Sequence, residues 1–289
     1  MQTPAPLPSS LDSRIDFKER VALSPLSQAA GFRFIDGWKD NLILGLDADT
    51  CLSEGRENKR IGIGAMAALL DHGSGMALHL VHEGATQGTA TVDLRIDVVR
   101  CPSPGESVAA HCSIDCVTGP FALVRGKVIE ERTQELVATS IGTFMLDANR
   151  RPPFGQHDRP SPVKGGAQNA GDYLDFTGAV FGADFDTPDR LPFRESFVGN
   201  TTLGVLHGGF VAGFLQTCMA SKVGIAVGRV PSDISPVSFT TEYLLPVAPE
   251  ELSVVANIKR RGRRVVFIEV IGHQGGRSVV AGSGIFSVH

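Results

Sequence analysis

"LHGGFVAGFLQTCMASKVGI", Leu206–Ile225, is a run of apolar and small residues that opens on His207-Gly208-Gly209. After the histidine, its first polar residue is an amide, Gln216. At a fixed offset of 145 stands a second stretch of the same kind, "IGIGAMAALLDHGSGMALHL", Ile61–Leu80. Each reads as a helix buried on nearly every side. Glycine costs about 1 kcal/mol per helical position relative to alanine. The small residues Gly62, Gly64, Ala65, Ala67 and Ala68, and Gly208, Gly209, Ala212 and Gly213, therefore predict close approach to a neighbouring element or a ligand.

The offset continues downstream. "TVDLRIDVVRCPSPGE", Thr91–Glu106, is strand-like, with alternation expected at Val92, Leu94, Ile96 and Val98. Its counterpart is "PVSFTTEYLLPVAPEE", Pro236–Glu251, with Val237, Phe239 and Thr241 in the same phase. The last strands, Leu136–Leu146 and Val279–Val288, also correspond, with a shift of two residues. Each half thus runs lead-in strand, buried helix, then about four strands. This order predicts an α+β fold of two repeats, each a curved antiparallel sheet wrapped around one helix. Edge-to-edge pairing would make one continuous sheet with pseudo-two-fold symmetry and hide two open strand edges. The expected divisions are a flexible tail over residues 1–18, a first repeat over 19–146, a Pro/Gly-rich linker over 147–171 and a second repeat over 172–289.

The 289 residues are 42% hydrophobic and 20% charged, as in a soluble globular protein. The net charge of −4 gives no general drive toward nucleic acid or an anionic membrane. Five scattered cysteines, Cys51, Cys101, Cys112, Cys116 and Cys218, read as buried free thiols. No metal site is expected. The first residues lack a basic start followed by an apolar core, and no run approaches the roughly 20 apolar residues of a membrane span. The expected setting is cytoplasmic.

"LGVLHGGFVAGFLQ", read with the strand "TVDLRIDVVRCPSPGE", resembles the hotdog-fold acyl-CoA thioesterases, the group with the phenylacetyl-CoA and small thioesterase-superfamily enzymes. The resemblance extends over about residues 25–146 and 172–289 and implies a tandem double hotdog. It further implies thioester hydrolysis to free acid and coenzyme A, with CoA entering only as part of the substrate. In that family each site draws on two subunits. One supplies a helix start whose glycine N–H, with a histidine and a nearby Asn or Gln, faces the thioester carbonyl. The other supplies an acid nine positions after the histidine equivalent, and a Ser or Thr at the start of the next strand.

Carried over residue by residue, the motif is split between the halves. The second half has His207, Gly208 and Gly209 at the helix start, with Asn200 or Thr201 near the amide position, but Gln216 and Pro236 at the acid and strand positions. The first half has Gly62, Ile63 and Gly64 at the helix start, but Asp71 as the acid and Thr91 on the strand. One combination restores a complete site. The reverse combination, Gly62 and Gly64 with Gln216, is a degenerate pseudo-site. Free N–H groups at a helix start suit an oxygen that becomes negative, so Gly208 N–H is expected as the main donor and Gly209 N–H as a second. His207 is expected to orient the turn or the carbonyl. Asp71 is a candidate general base or nucleophile, and Thr91 a candidate to hold the carboxylate or the attacking water. The plainer reading has Asp71 capping the backbone or pairing with His72 or Arg95.

"NIKRRGRRVVF", Asn257–Phe267, gathers Lys259, Arg260, Arg261, Arg263 and Arg264 around a hairpin glycine. These are candidate ligands for CoA phosphates, or else a solvated charged turn. A hotdog dehydratase or hydratase, and a non-catalytic acyl-CoA-binding module, stand as alternatives. A homodimer of double hotdogs is compatible with this reading.

Overall fold

Two long helices lie at the centre, α1 (Ile63–Val81) and α2 (Gly208–Val227). In the computed structural model the described residues are 31–48, 53–54, 60–81, 88–148, 189–191, 198–200, 204–229 and 234–288, with positions 18, 21, 27 and 30. Nearly all of the expected tail and linker lies outside them. The strands are β1 (Phe32–Trp38), β2 (Asn41–Leu46), β3 (Ser53–Glu54), β4 (Arg60–Ile61), β5 (Ala90–Val98), β6 (Val108–Thr118), β7 (Phe121–Glu130) and β8 (Leu136–Met145). In the second half they are β9 (Arg190–Leu191), β10 (Val198–Asn200), β11 (Val205–Leu206), β12 (Ser235–Tyr243), β13 (Leu252–Arg261), β14 (Val265–Gln274) and β15 (Arg277–Ser287).

Eleven strands form one sheet in the order β1-β2-β6-β7-β8-β5-β12-β15-β14-β13-β9, with every neighbouring pair antiparallel. The fold is an α+β hotdog architecture. The halves meet where β5 pairs with β12, and the strand orders run in mirror sense outward from that seam. Arg95 faces Thr240 there, Ile96 faces Phe239 and Leu94 faces Thr241. Arg95 and Thr240 are themselves 145 apart, and the flanking two pairs exchange under the same offset.

Both helices pack on the sheet and on each other, α1 chiefly against β2, β6 and β7, and α2 against β12 to β15. The small residues permit this. A Cβ at Gly209 would sit 2.5 Å from Ala68 Cα and 2.8 Å from Ala67 O, so any side chain there would lift the first turn of α2 off the middle of α1. Phe144, Phe210, Phe214, Phe239 and Phe286 are fully buried in the intervening core.

Two sequence expectations need correction. Among the described residues α2 is long and apolar enough to cross a membrane, but most of it is buried against α1 and the sheet. Of the thiols, Cys112 and Cys218 are buried, Cys101 is half-buried and Cys116 is exposed.

The expected strand alternation also breaks at one place in each half. The ladder between β5 and β8 pairs Thr91 with Phe144 and Asp93 with Thr143, leaving Val92 as an inserted residue. The ladder between β12 and β15 does the same at Val237, between the Pro236–Phe286 and Ser238–Ile285 pairs. A bulge shifts the side-chain parity by one. Leu94 and Ile96 keep their buried face, but Val237 is 43% exposed. Thr91 is turned instead onto the face of its buried partner Phe144, toward the helices.

Candidate active site

Asp71 lies eight residues into α1, about 12 Å along its axis, and is 4% exposed. Its Oδ1 accepts from Thr91 Oγ1 at 2.8 Å, the hydroxyl that the β5 bulge aims inward. Its Oδ2 accepts from the backbone N–H of Gly209 at 2.7 Å. One carboxylate therefore joins α1, β5 and the first turn of α2. Burial raises its pKa to about 6, while the bonds from Thr91 and Gly209 pull the other way. At neutral pH it is mostly ionised, yet a far better base than an exposed aspartate.

His207 is the N-cap of α2, with extended backbone (φ −66°, ψ 127°), and its Nδ1 accepts from Gly209 N–H at 3.1 Å. An accepting Nδ1 places the ring proton on Nε2. Burial lowers its pKa to about 3, so the ring is neutral. Its 3.6 Å separation from Asp71 Oδ2 is thus the spacing of two acceptors sharing one N–H, not an ion pair. His72, also held neutral by burial, has Nε2 3.0 Å from Ser27 Oγ, and its ring lies 5.8 Å from that of His207. Arg95 pairs with Asp97. Neither His72 nor Arg95 is the partner of Asp71.

Gly208 is half-buried, and its N–H has no hydrogen-bond partner among the described residues. A Cβ there would fall 3.0 Å from both Asp71 Oδ2 and Thr91 Oγ1. Only glycine lets the start of α2 approach the carboxylate and the threonine this closely, and it leaves an unpaired N–H at the helix start. A carbonyl bound at that N–H would meet a donor dipole with a base nearby. Gly209 N–H, expected as a second carbonyl donor, is instead engaged by Asp71 and His207; it holds the carboxylate.

The structure adds one residue that the sequence reading missed. Tyr243, at the end of β12, donates its hydroxyl to the carbonyl of Gly208. A signal was present: the residue 145 positions earlier is Val98, so a polar aromatic occurs in one half only.

The mirror arrangement is poorer throughout. Gly62 stands where His207 caps α2, and its carbonyl takes the first bond of α1 from Met66 N–H at 3.1 Å. Ile63, buried, fills the position that Gly208 leaves open. Gln216, buried at 7% exposure, stands for Asp71, and buried Pro236 stands for Thr91 on the equivalent bulge.

The remaining expected residues lie elsewhere or outside the described residues. Asn200 ends β10, with its side chain outside the described residues, and Thr201 lies outside them altogether. The basic residues do form a hairpin, with Gly262 N–H donating to Val265 O at 2.8 Å. Arg261, however, donates to Ala226 O at the C-terminal end of α2, about 27 Å from Gly208 along the helix. Lys259 pairs with Glu269 at 3.1 Å. Lys259, Arg260, Arg261, Arg263 and Arg264, read from sequence as candidate CoA-phosphate ligands with their end of the fold left open, thus belong to a hairpin at the end of α2 away from Gly208. Among the described residues no cluster of three or more His, Cys, Asp or Glu is placed to hold a metal ion.

Comparison with known proteins agrees with the hotdog-thioesterase resemblance. The family model of the acyl-CoA thioesterase N-terminal domain matches residues 198–287. No curated protein matches the chain. Among solved structures, an acyl-ACP thioesterase from Bacteroides thetaiotaomicron is 15% identical with a TM-score of 0.55, covering 86% of this chain and 98% of its own. A 12:0-ACP thioesterase from Umbellularia californica is 11% identical with a TM-score of 0.56, covering 87% and 99%. The tesB protein of Mycobacterium avium subs paratuberculosis is 10% identical with a TM-score of 0.57, covering 92% and 98%. At these identities the structures speak for the fold.

Proposed function

We propose that this chain, whose second half matches the acyl-CoA thioesterase family, hydrolyses an acyl-CoA thioester to the free acid and coenzyme A. The working site is composite and intramolecular: the two halves form a double hotdog and stand in for two subunits. One observation carries the reading. Asp71 of the first half accepts from Gly209 of the second, 138 residues away, beside the open N–H of Gly208. Hydrolysis needs a group that stabilises the developing oxyanion and a group that attacks or activates water. Gly208 N–H and the N-terminal dipole of α2 supply the first. Ionised Asp71 supplies the second, as base or nucleophile, oriented by Thr91. Neutral His207 fixes the turn that presents both glycines.

The test is thiol release from a panel of aliphatic and aryl acyl-CoA and acyl-ACP thioesters. Release from one acyl-CoA class supports the proposal. Water loss from 3-hydroxyacyl-CoA without thiol release makes the chain a dehydratase. Tight binding without turnover makes it a binding module.

A further inference from the structure

The Gly208–Gly209 peptide unit is held at both ends. Its N–H donates to Asp71 Oδ2 at 2.7 Å. Its carbonyl oxygen, on the opposite side of the same planar amide, accepts from the Tyr243 hydroxyl. These are the two poles of one resonating group. A donor on the carbonyl draws electron density toward oxygen and makes the N–H a stronger donor. We propose that Tyr243 is a positioning residue that acts on Asp71 through this single peptide unit, strengthening the N–H bond that holds the carboxylate ionised and in place.

The surroundings favour this role. Tyr243 is half-buried against the core, and burial of its hydroxyl together with nearby Asp71 pushes its pKa well above the usual phenol range. It therefore stays a neutral donor at any pH at which the chain works. The other titratable groups facing Asp71 are His207 from α2 and Cys112 from β6, with His72 next to it on α1. Burial keeps both histidines neutral and raises the Cys112 thiol to about 12. No formal positive charge among these groups stabilises the carboxylate. Hydrogen bonds from Thr91 and Gly209 carry that task, and among the described residues the Gly209 bond is the one with a further donor behind it. The mirror position of Tyr243 is Val98, so the relay belongs to one site and is not a general feature of the seam.

Two substitutions move the relay in opposite directions. Tyr243→Phe removes the donor and keeps the ring. Replacing tyrosine globally with 3-fluorotyrosine makes the phenol a stronger donor; the chain has only two tyrosines, so the label is nearly site-specific. The readout is the Asp71 carboxyl pKa, followed by carbon-13 NMR on aspartate-labelled full-length chain and assigned with Asp71→Asn. The pKa should rise by about 0.3–1 in Tyr243→Phe and fall in the fluorotyrosine protein. An Asp71 pKa that stays put in a folded Tyr243→Phe chain, or moves in the same direction in both proteins, overturns the relay.

A kinetic arm rests on the proposed hydrolase activity. The acid limb of the kcat profile should move up in Tyr243→Phe, with a loss of about twofold at pH 6 and near-full activity at pH 8. An equal loss at every pH would make Tyr243 merely structural and also overturn the proposal. If the wild-type chain releases no thiol, the hydrolase reading fails while the NMR arm still decides the relay.

Discussion

The two ends of the central helix pair invite comparison, because the same backbone plan yields a populated site at one and an empty outline at the other. Both halves start a helix with a glycine near a strand bulge, and both bulges turn the equivalent position inward. At one end the inward residue is Thr91, the buried polar group is Asp71, the helix-start position is open Gly208 and the cap is His207. At the other end these are Pro236, Gln216, Ile63 and Gly62. The two halves share a strand order about the β5–β12 seam, while the residues at corresponding positions differ. A buried carboxylate is costly unless hydrogen bonds compensate. Asp71 retains its charge because Thr91 and Gly209 are both there. The Gln216 end, with proline in place of a donor, has an uncharged amide instead.

The comparison can be attacked first where it is strongest. Gly208→Ala should lower kcat by about 10²-fold, because the new Cβ falls 3.0 Å from Asp71 Oδ2 and from Thr91 Oγ1. The mirror position already carries an isoleucine. Activity near wild type would mean that the substrate carbonyl binds elsewhere. Thr91→Val should cost about tenfold, through loss of one bond to the carboxylate. Pro236→Ala, in the same assay, should cost almost nothing.

A stability difference should accompany these. The folded-state pKa of Asp71, about 6, lies above its ordinary value of 3.8. The native chain therefore binds this proton more tightly than the unfolded chain does. Its burden is fully present above pH 6 and disappears as the pH falls toward 4. Asp71→Asn should accordingly be more stable than wild type at pH 7.5, by up to about 3 kcal/mol, with the gap closing near pH 4. Denaturant unfolding at the two pH values measures it, and a variant less stable at pH 7.5 would contradict a strained carboxylate. The smallest expected effect is that of Gln216→Ala, within about twofold in kcat; a loss above tenfold, near 1.4 kcal/mol in barrier, would show that the mirror end also works.

Much of this frame was legible in the chain because both halves carry the same hydrophobic pattern at a fixed offset. The offset of 145 located both helices and the paired strands, and the family resemblance singled out His207-Gly208-Gly209 and Asp71, which the fold brings within hydrogen-bond reach of one another. What stayed hidden depends on three-dimensional parity. Alternation placed Val92 and Val237 inward, and only the ladder register shows that each is the inserted residue of a bulge. Thr91 was named by resemblance alone, without the physical reason for its orientation. Tyr243 was missed because a tyrosine in a strand ordinarily packs, and its partner is a backbone carbonyl that no motif encodes. The end of α2 that the basic hairpin covers stayed open in the sequence, because charge clustering carries no information about it.

The central claim is that one carboxylate, from the opposite half, serves the α2 helix start. It is tested most directly by comparing single-turnover thiol release from an accepted acyl-CoA in wild type and Asp71→Asn. The account predicts a loss of about 10²–10⁴-fold, with the asparagine chain folded and still able to bind substrate. Thiol release at the wild-type rate from Asp71→Asn would contradict it.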